Sequence, residues 1–122
     1  MRILIACRQL DYCSALELYL QNKSDHEVVE MATDTPTMLT LAQATQPDII
    51  LLDWNLSDQP LAALNQVKQQ NDIQPSVILI NVPDEAGQKA LATEADDLVL
   101  MCAPAKNLLI AIETIRVKRW EG

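Results

Sequence analysis

Glycine is almost missing from this chain: Gly87 and Gly122 are the only two among 122 residues. Loops that cradle a nucleotide phosphate need glycines so that backbone N–H groups can approach the anion. No Gly-x-Gly loop exists, which excludes that kind of site. Histidine is nearly as scarce. His26 is the only one, it falls near an expected sheet edge, and it is expected to be exposed. No serine–histidine–acid set and no zinc-ligand spacing can be assembled. Cations are few as well: nine Lys and Arg stand against 17 Asp and Glu, a net charge of −8. Nucleic-acid backbones attract basic surfaces, so this domain alone is not expected to bind them. The plainer consequence of the charge is solubility. No apolar run approaches the roughly 18 residues that span a bilayer. The opening Met1–Cys7 is too short for a signal peptide, and a cytoplasmic location is expected. Three cysteines, Cys7, Cys13 and Cys102, make an odd count without metal spacing. They are read as reduced thiols, with Cys7 a small core residue.

What is present is apolar and periodic. Hydrophobic residues make up 49% and charged residues 21% of the chain, enough for the core of one ordinary domain over residues 1–122. Four apolar runs stand out: Ile3–Ala6, Ile49–Leu52, Val77–Ile80 and Leu98–Met101. None alternates with polar residues, as expected of strands covered on both faces in a parallel sheet. A fifth, mixed run, Glu27–Met31, suits a sheet edge.

Helical segments separate these runs. Tyr12–Gln21 places Ala15, Leu16, Tyr19 and Leu20 on one face. Asp34-Thr35-Pro36 reads as a helix start, with a capping carboxylate and a first-turn proline. Pro60 opens a third helix with Leu61, Leu64 and Val67. Asp84 caps a short fourth with Ala90 and Leu91. Pro104 opens the last, where Leu108, Leu109, Ile112 and Ile115 recur at helical spacing. Five strand-then-helix repeats predict an α/β fold: an open, doubly wound, five-stranded parallel sheet. Sites in such sheets form at the carboxyl ends of the strands. Those ends carry Cys7 and Arg8, Asp53 to Asn55, Asn81 and Val82, and Cys102 to Pro104. Met101 and Cys102 are expected in the core, and Trp54 is expected to pack against a helix.

Pro47-Asp48-Ile49-Ile50-Leu51-Leu52-Asp53-Trp54-Asn55-Leu56 resembles the third-strand signature of response-regulator receiver domains. His26–Ala32, Ala95–Leu98 and Pro104 fall where that family places similar segments. The resemblance covers the whole chain. It implies a flavodoxin-like fold, strand order 2-1-3-4-5, and Asp53 at the phosphoacceptor position.

The resemblance also implies a chemistry that most of the residues here do not supply. In that family a divalent cation is held by the acceptor aspartate and an acidic pair after the first strand. A hydroxyl after the fourth strand and a lysine after the fifth bind the phosphoryl oxygens. The acidic pair reads here as Cys7 and Arg8, and magnesium takes hard oxygen ligands. The hydroxyl position reads as Asn81, the lysine position as Ala103, and the aromatic on the fifth strand as Leu98. Lys106 lies beyond the proline. If the first strand ends at Ala6, the Arg8 guanidinium can approach Asp53 and occupy the cation's place, or else point to solvent.

The resemblance thus implies a pseudo-receiver of bacterial signal transduction: a non-enzymatic interaction module with no cofactor and no metal. Its partners would be proteins, namely a histidine kinase, an effector or a second copy in a homodimer. They would meet the face formed by the fourth helix, fifth strand and last helix. The alternative is a working receiver phosphorylated at Asp53. A remote third reading places Cys7 as the nucleophile of a small phosphate-handling enzyme. The loop Arg8–Ser14 lacks the glycines such a cradle needs, and Cys13 stands where a phosphatase arginine would be.

Overall fold

A computed structural model describes residues 1–22, 26–70, 75–87 and 95–121. The strands are β1 (Arg2–Ala6), β2 (Glu27–Ala32), β3 (Ile49–Asp53), β4 (Ser76–Val82) and β5 (Asp97–Leu100). The α-helices are α1 (Leu10–Gln21), α2 (Thr35–Thr45), α3 (Pro60–Lys68) and α4 (Lys106–Glu121). The sheet is five-stranded, with order β2-β1-β3-β4-β5 and every pairing parallel. This is the flavodoxin-like α/β architecture expected from the sequence.

The unbroken apolar runs are explained by the two layers that cover the sheet. Successive strand residues point to opposite faces. Leu4, Ala6, Ile50, Leu52, Val77 and Leu79 pack on one side, against Met38 and Ala42 of α2 and Leu64 and Val67 of α3. Ile3, Ile5, Ile49, Leu51, Ile78 and Ile80 pack on the other, against Cys13 and Leu20 of α1 and Leu108, Ile112 and Ile115 of α4. Each fully buried Val, Leu, Ile or Met among them contributes about 1.5–3 kcal/mol of transfer free energy. Trp54 packs on the α2–α3 layer.

Local signals fix the helix starts. The Asp34 carboxylate accepts the Thr37 N–H at 2.8 Å, with proline in the first turn. Hydrogen bonds from the Thr37 side chain and from its backbone N–H hold the Asp34 carboxyl below its ordinary value. Pro60 opens α3 as expected.

Several details differ from the sequence expectation. Helix α1 begins at Leu10, two residues before Tyr12, so Cys13 takes the core position and Ala15 is exposed. Helix α4 begins at Lys106, two residues after Pro104, with the Asn107 N–H on the Pro104 carbonyl. Asp84 starts a 3-10 turn, Asp84–Ala86. Ala90 and Leu91, expected on a fourth helix, lie outside the described residues. Met101 is 57% exposed and Cys102 is exposed, not core, since β5 ends at Leu100 and its last turn faces outward. His26 is half-buried.

Asp48, part of the third-strand signature, works at the amino end of the sheet. It accepts the Arg2 N–H at 2.9 Å and pairs with Arg119 of α4 at 3.6 Å. Among the described residues no helix is long and apolar enough to cross a membrane.

Candidate functional site

Asp53 is the last residue of β3 and is 5% exposed, the only charged residue in the buried set among the described residues. A central strand ends here between two buried strands, so its last side chain emerges at the carboxyl edge of the sheet. The chain then turns sharply. The Asn55 N–H donates to Asp53 Oδ1 at 2.8 Å, and the Leu56 N–H donates to the Asp53 carbonyl at 3.0 Å. This is a local Asx-type turn, which Asp and Asn favour.

The second carboxylate oxygen is held from β4. Asn81 Nδ2 donates to Asp53 Oδ2 at 3.2 Å. Asn81 has φ 57°, left-handed backbone inside a strand. Asparagine tolerates that region better than almost any residue but glycine. The register of β4 against β5 shifts between Leu79 and Val82, across this residue. The kink turns the amide toward Asp53. Its other end is also occupied, because Tyr12 Oη donates to Asn81 Oδ1 at 3.3 Å. A chain Tyr12–Asn81–Asp53 thus links α1, β4 and β3. Burial raises the Tyr12 phenol above its ordinary value of 10.0; the Asn81 hydrogen bond opposes this and the Asp53 charge adds to it.

Arg8, Gln9, Tyr12, Asp53, Asn55 and Asn81 line one hollow at this edge. Of the expected site positions, the structure therefore gathers Arg8, Asp53, Asn55 and Asn81. Arg8 is exposed and forms no ion pair with Asp53, so of the two orientations open to it the solvent-facing one is observed. Ala103 is elsewhere, in an adjoining apolar groove with Leu16, Val99 and Leu108 that Tyr12 also borders. Tyr12 and Gln9 were not among the expected site residues. No sequence signal marked them: a helix from Leu10 puts residue 12 in its first turn, level with the strand ends, but Gln9 supplies no capping side chain to announce that start.

Cys7 departs most from expectation. Its sulfur is joined to that of Cys13 in a disulfide, with Cα atoms 6.1 Å apart, where the sequence suggested three reduced thiols. The early start of α1 is the physical reason, since its first turn folds back over the end of β1. Cys102 is free.

The donor set does not fit a magnesium ion. Magnesium takes oxygen ligands in a near-ideal octahedron. The hollow offers one carboxylate, Asp53. The other two expected ligand positions hold a buried disulfide sulfur and a guanidinium. Among the described residues no group of three or more His, Cys, Asp or Glu is placed to hold a metal.

Solved structures of the same architecture are receiver domains. A two-component response regulator of the LuxR family from an Aurantimonas species aligns with TM-score 0.82 and 21% identity, over 93% of this chain and 83% of that one. A CheY-like receiver domain protein from Methanospirillum hungatei aligns with TM-score 0.79 and 19% identity, over 99% and 98%. The chain has the receiver fold. A third match, at TM-score 0.78 and 22% identity, covers 97% of this chain and 52% of that one; it belongs to a family of streptococcal redox sensors that evolved from two-component response regulators. No family model matches the sequence. Within the receiver fold, Asp53 occupies the carboxyl end of the third strand and the Asn81 amide stands beside it.

Proposed function

We propose that this chain is a pseudo-receiver of bacterial two-component signalling, a protein-interaction module that works without magnesium-dependent phosphorylation of Asp53. The observation that carries this reading is a hollow in which Asp53 is the one carboxylate and the other charged residue is Arg8. Phosphoryl transfer to a carboxylate gathers negative charge. It needs a cation and fixed donors placed where that charge develops. One arginine on an exposed loop is a weak substitute for a metal, a lysine and a hydroxyl together.

The module acts by contact with other proteins: a kinase, an effector or a second copy. Exposed apolar side chains at the end of β5 and on α4, Leu100, Met101, Ile110 and Val117, support a contact face there. It carries no catalytic residue, and residues 1–122 form one receiver-type domain. The working-receiver alternative keeps one supporting feature, an aspartate at the expected strand end.

Acetyl phosphate with magnesium separates the two. The expected result is an intact mass without a phosphoryl adduct and an unchanged sedimentation coefficient. An adduct that maps to Asp53 and is lost in Asp53→Ala would overturn the proposal.

A further inference from the structure

We infer that Cys7 and Cys13 form a reversible redox site whose state is transmitted to Asp53 through Tyr12 and Asn81. The inference is independent of whether Asp53 accepts a phosphoryl group.

The first support is that the fold accommodates both states. The Cα separation of 6.1 Å lies within the range a disulfide spans without backbone movement. The same two sulfurs also face carbonyl oxygens: Cys7 Sγ lies 3.5 Å from the Gln9 carbonyl, and Cys13 Sγ lies 3.3 Å from the Cys7 carbonyl. As thiols, each has an acceptor for its S–H. Neither state leaves a buried donor stranded, so oxidation and reduction exchange one satisfied arrangement for another.

The second support is access. Both cysteines are fully buried, and the turn between them in the chain lies at the surface. Arg8, Gln9 and Leu10 are exposed. Gln9, at the N-cap of α1, makes no side-chain capping bond, and Leu10, the first helical residue, is 58% exposed. An uncapped helix start frays more readily than a capped one. Fraying of this turn is the route by which an oxidant or reductant reaches the pair.

The third support is connection. Cys13 follows Tyr12 on α1, and Tyr12 donates to the Asn81 amide that in turn donates to Asp53. The disulfide ties the first turn of α1 to the end of β1 and so holds the Tyr12 hydroxyl over Asn81. Reduction frees that turn to move.

The oxidant class is a hydroperoxide. One cysteine thiolate attacks a peroxide oxygen, the O–O bond breaks, and a sulfenic acid and one water result. The second thiolate attacks the sulfenic sulfur, forming the S–S bond and releasing a second water. Two thiols lose two electrons and two protons in all, and one hydrogen peroxide becomes two waters. A dithiol reverses the change through a mixed disulfide.

The test uses the full chain with Cys102→Ser, which removes the exposed thiol. Reduced protein is treated with hydrogen peroxide under native conditions, denatured in alkylating reagent and mapped without reduction. A Cys7–Cys13 linked peptide that dithiothreitol removes is expected. The amide resonances of Tyr12, Asn81 and Asp53 are expected to differ between the two states. Cys13→Ala and Cys7→Ala should each remove both effects. Should either variant fail to fold, the two states of the Cys102→Ser protein still decide the matter. Full alkylation of both cysteines after peroxide, or a linked peptide with unchanged Asn81 and Asp53 resonances, would overturn the inference.

Discussion

Asn81 shows how one backbone angle governs the chemistry of the hollow. A hydroxyl residue would be the usual occupant by resemblance, but φ at this position is 57°. Threonine is β-branched and strained there. Asn81→Thr is therefore expected to lower stability by about 1–3 kcal/mol in urea denaturation, and a neutral or stabilising result would show that the kink is not intrinsic. Asp53 is bound to the same arrangement. Asp53→Ala leaves the Asn55 N–H and the Asn81 amide without their acceptor and should cost about 1–3 kcal/mol. Asp53→Asn keeps an acceptor and should cost less. The ordinary value of the Tyr12 phenol, 10.0, is raised by burial. A raised folded value means a contribution to stability that is present below the unfolded value and lost as pH rises through the folded one. Tyr12→Phe removes the hydrogen bond to Asn81 and should destabilise at neutral pH, with the gap from wild type narrowing at strongly alkaline pH. A gap independent of pH would mean that ionisation of the phenol is not coupled to folding.

The elements were legible to different degrees, for physical reasons. Ile49–Leu52 and Val77–Ile80 were readable as interior strands because both faces are covered and no polar residue interrupts them. Asp34 and Pro36 announced α2 by side-chain chemistry alone. The start of α1 was not readable, because Gln9 supplies no capping side chain and leaves no mark in the sequence. That error of two residues hid the place of Tyr12 and the pairing of Cys7 with Cys13. The extension of β4 through Asn81 to Val82 was hidden too, since a left-handed residue inside a strand breaks the pattern that reveals strands. At this scale the capping bond offers a test. The Asp34 carboxyl is held below its ordinary value of 3.8, a contribution present above that value and lost as pH falls through the folded one. Asp34→Ala should lower the melting temperature at pH 7, with the difference from wild type vanishing in acid. An equal loss at both pH values would mean the cap is not electrostatic. The core gives a larger effect. Leu51→Ala should cost about 2–5 kcal/mol, whereas Ile110→Ala, 58% exposed in the structure, should stay within about 0.5 kcal/mol.

Over the whole molecule the parallel, doubly wound sheet followed from five strand–helix repeats and its strand order from the receiver resemblance, while the chemistry of its carboxyl edge depended on single residues. The scaffold tolerates an arginine in the Asp53 hollow because its stability lies in the two apolar layers that cover the sheet. A fold can thus persist while the site it presents changes. A ligand shifts a conformational equilibrium only by its differential affinity for the two states. With Asn81 and Leu98 in the positions expected to couple acceptor and output face, one dominant conformation is expected within each redox state, the two differing along Tyr12, Asn81 and Asp53. The central claim is that Asp53 sits in a hollow unsuited to a metal and a phosphoryl group. Its most direct test is titration of the protein with magnesium and beryllofluoride, followed by the amide resonances of Asp53, Asn55 and Asn81. Resonances that do not move through low millimolar magnesium are the expected result, and saturable shifts at these three residues, absent from Asp53→Ala, would contradict it.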